Sequence, residues 1–155
     1  MNRRLKFFEY RYPELQNIWE NLECEKAILD GEIVVFDKGK PNFFKLSERE
    51  HVEGKVRIEL LSKLMPATFV VFDILDLNGK ATIGLPLLER KKLLEKNVKE
   101  GKNLIFSTYI FEKGKELFKE VKKRELEGIM AKKIDSKYEI GKRSKNWLKI
   151  KALKT

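Results

Sequence analysis

Residues Ala67 to Leu77, reading Ala-Thr-Phe-Val-Val-Phe-Asp-Ile-Leu-Asp-Leu, restrict the fold more than any other stretch. Their β-branched and aromatic side chains follow one another almost without a polar break, the pattern of a strand covered on both faces. Asn78-Gly79 closes the run with a tight-turn signal. Such a strand is central, so the chain must supply neighbouring strands and helices that cover them.

The rest of the chain reads accordingly. Ala27 to Phe36 is a second strand, closed by the turn cluster Asp37-Lys38-Gly39-Lys40-Pro41. Residues 43–65 read as two helical pieces broken near Gly54, with Ile58, Leu61, Leu64 and Met65 on one stripe, ended by Pro66. Leu85 to Val98 is a helix with Pro86 near its start and Leu87, Leu88, Leu93 and Leu94 inward. Asn103 to Ile110 is a strand, Phe111 to Arg124 a helix, and Ile129 to Ile134 and Asn146 to Ala152 are further strands. Upstream, Arg11-Tyr12-Pro13-Glu14 is expected to open a helix whose Leu15, Ile18, Trp19 and Leu22 form a buried stripe, with Trp19 in the core. Strands and helices mix without regular βαβ alternation, so the fold class is α+β with substantially antiparallel sheet.

At 155 residues, with 42% apolar against 37% charged side chains and ten Phe, the sequence fits one domain with a real core and excludes disorder. Cys24 stands alone and cannot form an internal disulfide; with a lone His51 it leaves no zinc set. No run approaches the roughly 20 apolar residues that span a bilayer, and the start lacks a signal-peptide core, so a soluble, intracellular protein with no membrane partner is expected. The net charge of +10 is uneven: residues 111–155 carry 15 basic and 7 acidic side chains, residues 1–110 carry 19 and 17. That makes the C-terminal third the anion-facing candidate, although interspersed Lys and Glu also build the solvated ion-pair surfaces of thermophile proteins.

Three clusters carry possible chemistry. Asp30-Gly31-Glu32 interrupts an apolar strand; Asp30 and Glu32 share one face, which is either solvent-exposed or the floor of a pocket for a hydroxyl or metal ion. Glu127-Gly128-Ile129-Met130-Ala131-Lys132 places a carboxylate and a glycine before a strand and a lysine on it. Trp147-Leu148-Lys149-Ile150-Lys151 alternates, so Trp147, Lys149 and Lys151 share a face. Two lysines about 6 to 7 Å apart on a strand can reach one phosphate, or can simply be solvated.

In this order the clusters resemble the adenylation (nucleotidyltransferase) domain of ATP-dependent DNA ligases, a superfamily shared with RNA ligases and mRNA capping enzymes. Asp30 to Glu32 is similar to motif III, Phe69-Val70-Val71-Phe72-Asp73-Ile74-Leu75 to motif IIIa, Glu127 to Lys132 to motif IV, and Lys142-Arg143-Ser144-Lys145-Asn146-Trp147 through Lys151 to motif V. Arg11 to Glu14, Gly84-Leu85-Pro86-Leu87-Leu88-Glu89-Arg90 and Asp135-Ser136-Lys137-Tyr138 resemble stretches of compact bacterial and archaeal DNA ligases, end-joining types included. The resemblance covers nearly the whole chain, and the GLPLLER and KRSKNWLKIK stretches favour DNA ligases over capping enzymes.

The resemblance implies antiparallel-rich sheets flanked by helices. It implies a lysine amine attacking the α-phosphate of ATP, pyrophosphate leaving, AMP passing to a DNA 5′-phosphate, and a 3′-hydroxyl displacing it to seal a nick. Lys149 and Lys151 would clamp the α-phosphate, and Glu127 would hold Mg²⁺ or Mn²⁺. Glu32 would contact ribose or metal, Phe72 would stack on adenine, and Lys132 would support nucleotide binding. Arg3, Arg4 and Arg143 would face DNA backbone. The implied substrate is nicked or broken double-stranded DNA.

The family's motif I, Lys-x-Asp-Gly-x-Arg, carries the lysine that becomes adenylylated, and no lysine here is followed by x-Asp-Gly. The single Asp-Gly pair, Asp30-Gly31, has Ile28 at the matching offset. The expectation is an N-terminally incomplete adenylation domain over residues 1–155. It would lack the motif I segment and the C-terminal OB-fold domain as partners, and would be inactive alone. A non-catalytic nucleotide- or DNA-binding module and an RNA ligase or capping-type enzyme are the alternatives. A P-loop is disfavoured, since Ser136 stands where Gly would precede Gly141-Lys142.

Overall fold

Two tight turns set the strand pairing. The computed structural model describes residues 9–107, 116, 119, 128–132, 136–138 and 147–151. Strand β1 (Ala27–Asp37) turns through Lys38 (φ 52°) and Gly39 (φ 77°) into β2 (Lys40–Pro41), pairing Asp37 with Lys40 and Phe36 with Pro41. Strand β3 (Ala67–Leu77) turns through Asn78 (φ 53°) and Gly79 (φ 86°) into β4 (Lys80–Ala81). Positive φ at both central residues gives a turn whose twist matches the flanking strands, and Asn and Gly reach it most readily.

Between β2 and β3 lie α1 (Phe43–His51) and α2 (Lys55–Leu64), separated at Gly54 as the sequence predicts. Asn42 caps α1, its side-chain oxygen accepting from the Lys45 amide at 2.9 Å. After β4 come α3 (Leu87–Asn97) and the short β5 (Leu104–Phe106). The last described strands are β6 (Gly128–Lys132) and β7 (Trp147–Lys151). The helix expected over residues 111–124 lies outside the described residues.

The main sheet runs β2-β1-β3-β4, with β5 also pairing parallel to the first half of β3. β6 and β7 form a separate antiparallel ladder. The chain divides into two compact units, one of residues 1–23, 30–72 and 97–106, the other of 24–29, 73–96 and 107–155. The class is α+β, and β3 has partners on both sides, as its apolar run requires.

In the first unit Tyr12, Val35 and Ala67 form a buried cluster with Leu15, Ile33, Leu46 and Met65 packed against it. Burial pushes the Tyr12 phenol up to about 12, with nearby Glu50 adding to the shift. Two buried cores of charge accompany these apolar ones. Here Arg49, fully buried, donates to both Glu14 oxygens (2.5 and 2.8 Å), to the Arg11 carbonyl (2.8 Å) and to the Met65 carbonyl (2.7 Å). In the second unit Ile74, Leu87 and Leu94 are buried on β3 and α3.

Three sequence expectations are corrected. Residues 9–22 form no α-helix but three short 3₁₀ turns, Glu9–Arg11, Pro13–Leu15 and Ile18–Asn21. Pro13 donates no amide, and the Arg11 carbonyl is taken by Arg49, so the i to i+4 ladder does not propagate. Trp19 is therefore 64% exposed rather than core; Tyr12 holds the buried place. On α2, Ile58 is buried but Leu64 is 67% exposed, in line with exposed Val56 and Leu60.

Candidate functional site

Backbone register brings the two C-terminal motifs together. In the β6–β7 ladder Gly128 stands opposite Lys151, Met130 opposite Lys149, and Lys132 opposite Trp147. Directly opposed residues in an antiparallel pair share a face, so Lys132, Lys149 and Lys151 belong to one face of this hairpin. Lys132, near one end of the sequence pattern and 15 or more positions from the others, joins them through strand pairing alone. Glu127, immediately before β6, lies outside the described residues, as do Arg3, Arg4 and Arg143.

A fourth cation approaches from α3. Lys91 is only 8% exposed, and burial, reinforced by the charge of Lys132, pushes its amine down to about 8. Asp73 and Glu95 act in the opposite direction and Arg90 adds to the lowering. Lys91 is thus a cation largely removed from water in the field of Lys132.

Beside it sits the second unit's own buried ion pair. Asp73 and Arg90 are both fully buried; Arg90 donates Nε to Asp73 Oδ1 at 2.8 Å and Nη2 to Oδ2 at 3.2 Å. The Ile74 amide donates to Asp73 Oδ1 at 2.9 Å. Arg90 Nη1 reaches two carbonyls, Leu85 at 2.6 Å and Ser136 at 2.9 Å, and the guanidinium lies 5.9 Å from the Tyr138 ring centre. The Tyr138 amide donates to the Ile83 carbonyl at 2.9 Å. Three family-like stretches noted in the sequence, around Asp73, Arg90 and Ser136, therefore meet in one hydrogen-bonded knot.

On the main sheet, Glu32 is exposed on β1 and Phe72 is half-buried on β3. Gly31 between Asp30 and Glu32 has a packing cause: a Cβ there would overlap the Val70 carbonyl oxygen and lie 2.9 Å from the Phe69 ring. Close backbone approach, not turn geometry, places glycine in this strand. Glu32 is a carboxylate open to solvent, the donor type that holds Mg²⁺ together with substrate phosphates. Among the described residues no cluster of three or more His, Cys, Asp or Glu side chains could hold a metal ion by itself. Likewise no helix among them is long and apolar enough to cross a membrane.

Sequence reasoning missed Arg90, Lys91, Arg49 and Glu14. One signal was available: Asp73 is an acid in the middle of the most apolar strand, and a buried carboxylate requires a cation. Its partner, 17 residues away on another element, carries no local mark.

Comparison with known proteins bears on these observations. A family model described as ATP dependent DNA ligase domain matches residues 1–151. A DNA ligase of Thermococcus fumicolans is 37% identical over 156 residues, covering 97% of this chain and 28% of the relative. The multifunctional non-homologous end joining protein LigD of Mycolicibacterium smegmatis is 33% identical over 145 residues, covering 93% of this chain and 17% of that protein. The crystal structure of the ligase domain from M. tuberculosis LigD matches with a TM-score of 0.75 at 30% identity, covering 97% of this chain and 45% of the other. A mycobacterial DNA ligase D complexed with ATP and MES matches with a TM-score of 0.62 at 31% identity, over 81% of this chain and 38% of that one. The chain spans little more than a quarter of the Thermococcus relative's length.

Proposed function

Because the chain belongs to the ATP-dependent DNA ligase domain family, we propose that it is the nucleotide-handling part of an enzyme that seals nicked or broken double-stranded DNA. The observation that carries the site assignment is the β6–β7 register, which puts Lys132, Lys149 and Lys151 on one face. Lys149 and Lys151 clamp the α-phosphate, where negative charge spreads over the oxygens as pyrophosphate leaves, and Lys132 supports the same nucleotide. Phe72 offers a ring to adenine. Glu32 takes the ribose or the metal and Glu127 the metal; Mg²⁺ or Mn²⁺ would neutralise phosphate charge when bound. Arg3, Arg4 and Arg143 contact DNA phosphates.

The reaction needs an amine that attacks the α-phosphate of ATP, releases pyrophosphate and passes AMP to a 5′-phosphate; a 3′-hydroxyl then displaces AMP. No lysine of this sequence carries the Lys-x-Asp-Gly pattern of that amine. These residues bind and orient the phosphates. Retention of Glu32, Glu127, Lys149 and Lys151 together supports an enzyme part over a binding remnant.

A graft tests this reading. Residues 1–151 replace the matching span of the Thermococcus fumicolans ligase, and intact mass is recorded after incubation with ATP and Mg²⁺. The graft is expected to gain covalent AMP, and Lys149→Ala or Lys151→Ala to lower the yield at least about a hundredfold, as loss of charged transition-state contacts does. Full labelling in both variants would remove these lysines from the chemistry.

A further inference from the structure

The β6–β7 hairpin carries the lysines, but the described residues between its strands are tied elsewhere. Within the 14 residues separating Lys132 from Trp147, the described residues are 136–138. Ser136 is 5% exposed and its carbonyl accepts from Arg90; Tyr138 lies against the same guanidinium and its amide bonds the Ile83 carbonyl. Arg90 is in turn locked by both oxygens of Asp73 on β3.

We propose that Arg90, oriented by Asp73, is a positioning residue: it fixes the β6–β7 connection and thereby the placement of the lysine-bearing face for a nucleotide phosphate. The inference rests on the reading of that face as a phosphate clamp. The chemistry of arginine is what the site uses. Its planar fork meets a carboxylate through Nε and Nη2 while Nη1 still serves two carbonyls, Leu85 and Ser136. A lysine has one nitrogen and cannot span Asp73, Leu85 and Ser136 together. A buried ion pair adds little net stability compared with well-packed apolar groups. Its value here is the position it imposes on a segment 46 residues away. Asp73 directly follows Phe72, so the same pair also pins the backbone of the strand that offers a ring to adenine.

Arg49 supplies the control: it is equally buried and also bonds a carboxylate and two carbonyls, but in the other unit, where its partners are Glu14, Arg11 and Met65. The whole chain is prepared as Arg90→Lys, Asp73→Asn and Arg49→Lys. Urea unfolding, amide hydrogen exchange and ATP affinity are measured on each in the temperature range where it is folded. Arg90→Lys and Asp73→Asn are expected to speed exchange of the amides of residues 128–132 and 147–151 at least about tenfold beyond the change in global stability. They are also expected to weaken ATP binding by a similar factor. Arg49→Lys is expected to lower the urea midpoint without either effect. Hairpin exchange that tracks global stability alike in all three variants would overturn the proposal. Should Arg90→Lys fail to fold, Asp73→Asn decides by the same criteria. The exchange result stands without ATP: faster hairpin exchange with ATP affinity unchanged, in a chain where Lys149→Ala also leaves affinity unchanged, would overturn the phosphate-clamp reading instead.

Discussion

A methyl group at position 31 would collide with the Val70 carbonyl oxygen, a backbone atom that cannot step aside. Gly31→Ala is therefore expected to destabilise the chain by about 1 to 3 kcal/mol, the cost of overpacking a tight contact, read as a lower urea midpoint. An unchanged midpoint would mean that β1 and β3 do not approach so closely there. Lys91 gives a pH signature. Its amine is pushed down to about 8 in the folded chain from the ordinary 10.5, so the unfolded chain binds more protons between these values. Stability should then rise as pH increases from about 8 to 10.5, and the charging cost is present in full below about 8. Lys91→Met is expected to flatten that rise; a variant with the same slope would assign it to other groups. At this scale the sequence showed residue types but not partners. Asp30-Gly31-Glu32 stood out as an anomaly, yet the reason for Gly31 lies on another strand. Asp73 was visible as an acid in an apolar run, whereas Arg90 looked like any helical arginine.

Elements were legible where periodicity and turn chemistry agreed. β1 and β3 follow from their apolar runs, the β3–β4 turn from Asn78-Gly79, and the β1–β2 turn from Gly39, next to which Lys38 is held at φ 52°. The break between α1 and α2 at Gly54 was equally readable. The misreading came at residues 9–22, where a helical spacing of apolar residues existed but Pro13 and the bond from Arg49 to the Arg11 carbonyl broke the segment into 3₁₀ turns. Periodicity reports what a helix would bury, not whether tertiary bonds allow the helix. The β3–β4 turn makes a prediction of its own. Asn78 holds φ at 53° and its side-chain oxygen accepts from the Glu25 and Lys26 amides at 3.0 and 3.2 Å. Asn78→Ala is expected to cost about 1 to 3 kcal/mol, combining lost hydrogen bonds with strain at positive φ. Asn78→Gly should recover part of it, because only the strain is relieved. Thermal unfolding of both variants measures the difference.

For the whole molecule, the resemblance read from the sequence named the family that the family model shows, and strand register brought Lys132, Lys149 and Lys151 onto one face. The first was readable from the chain; the second needed the pairing of Met130 with Lys149. The excess of basic residues in 111–155 predicts salt-sensitive binding to double-stranded DNA, with affinity falling steeply between about 50 and 200 mM salt. Affinity indifferent to salt would remove DNA backbone from that surface. The measurement closest to the central claim is equilibrium dialysis of this chain with ATP and with adenosine, in the wild type and in Lys149→Ala and Lys151→Ala. If the β6–β7 face holds phosphates, ATP binds more tightly than adenosine, each substitution costs about tenfold or more for ATP, and adenosine affinity does not change. ATP and adenosine binding equally, or ATP affinity unmoved by both substitutions, would contradict it.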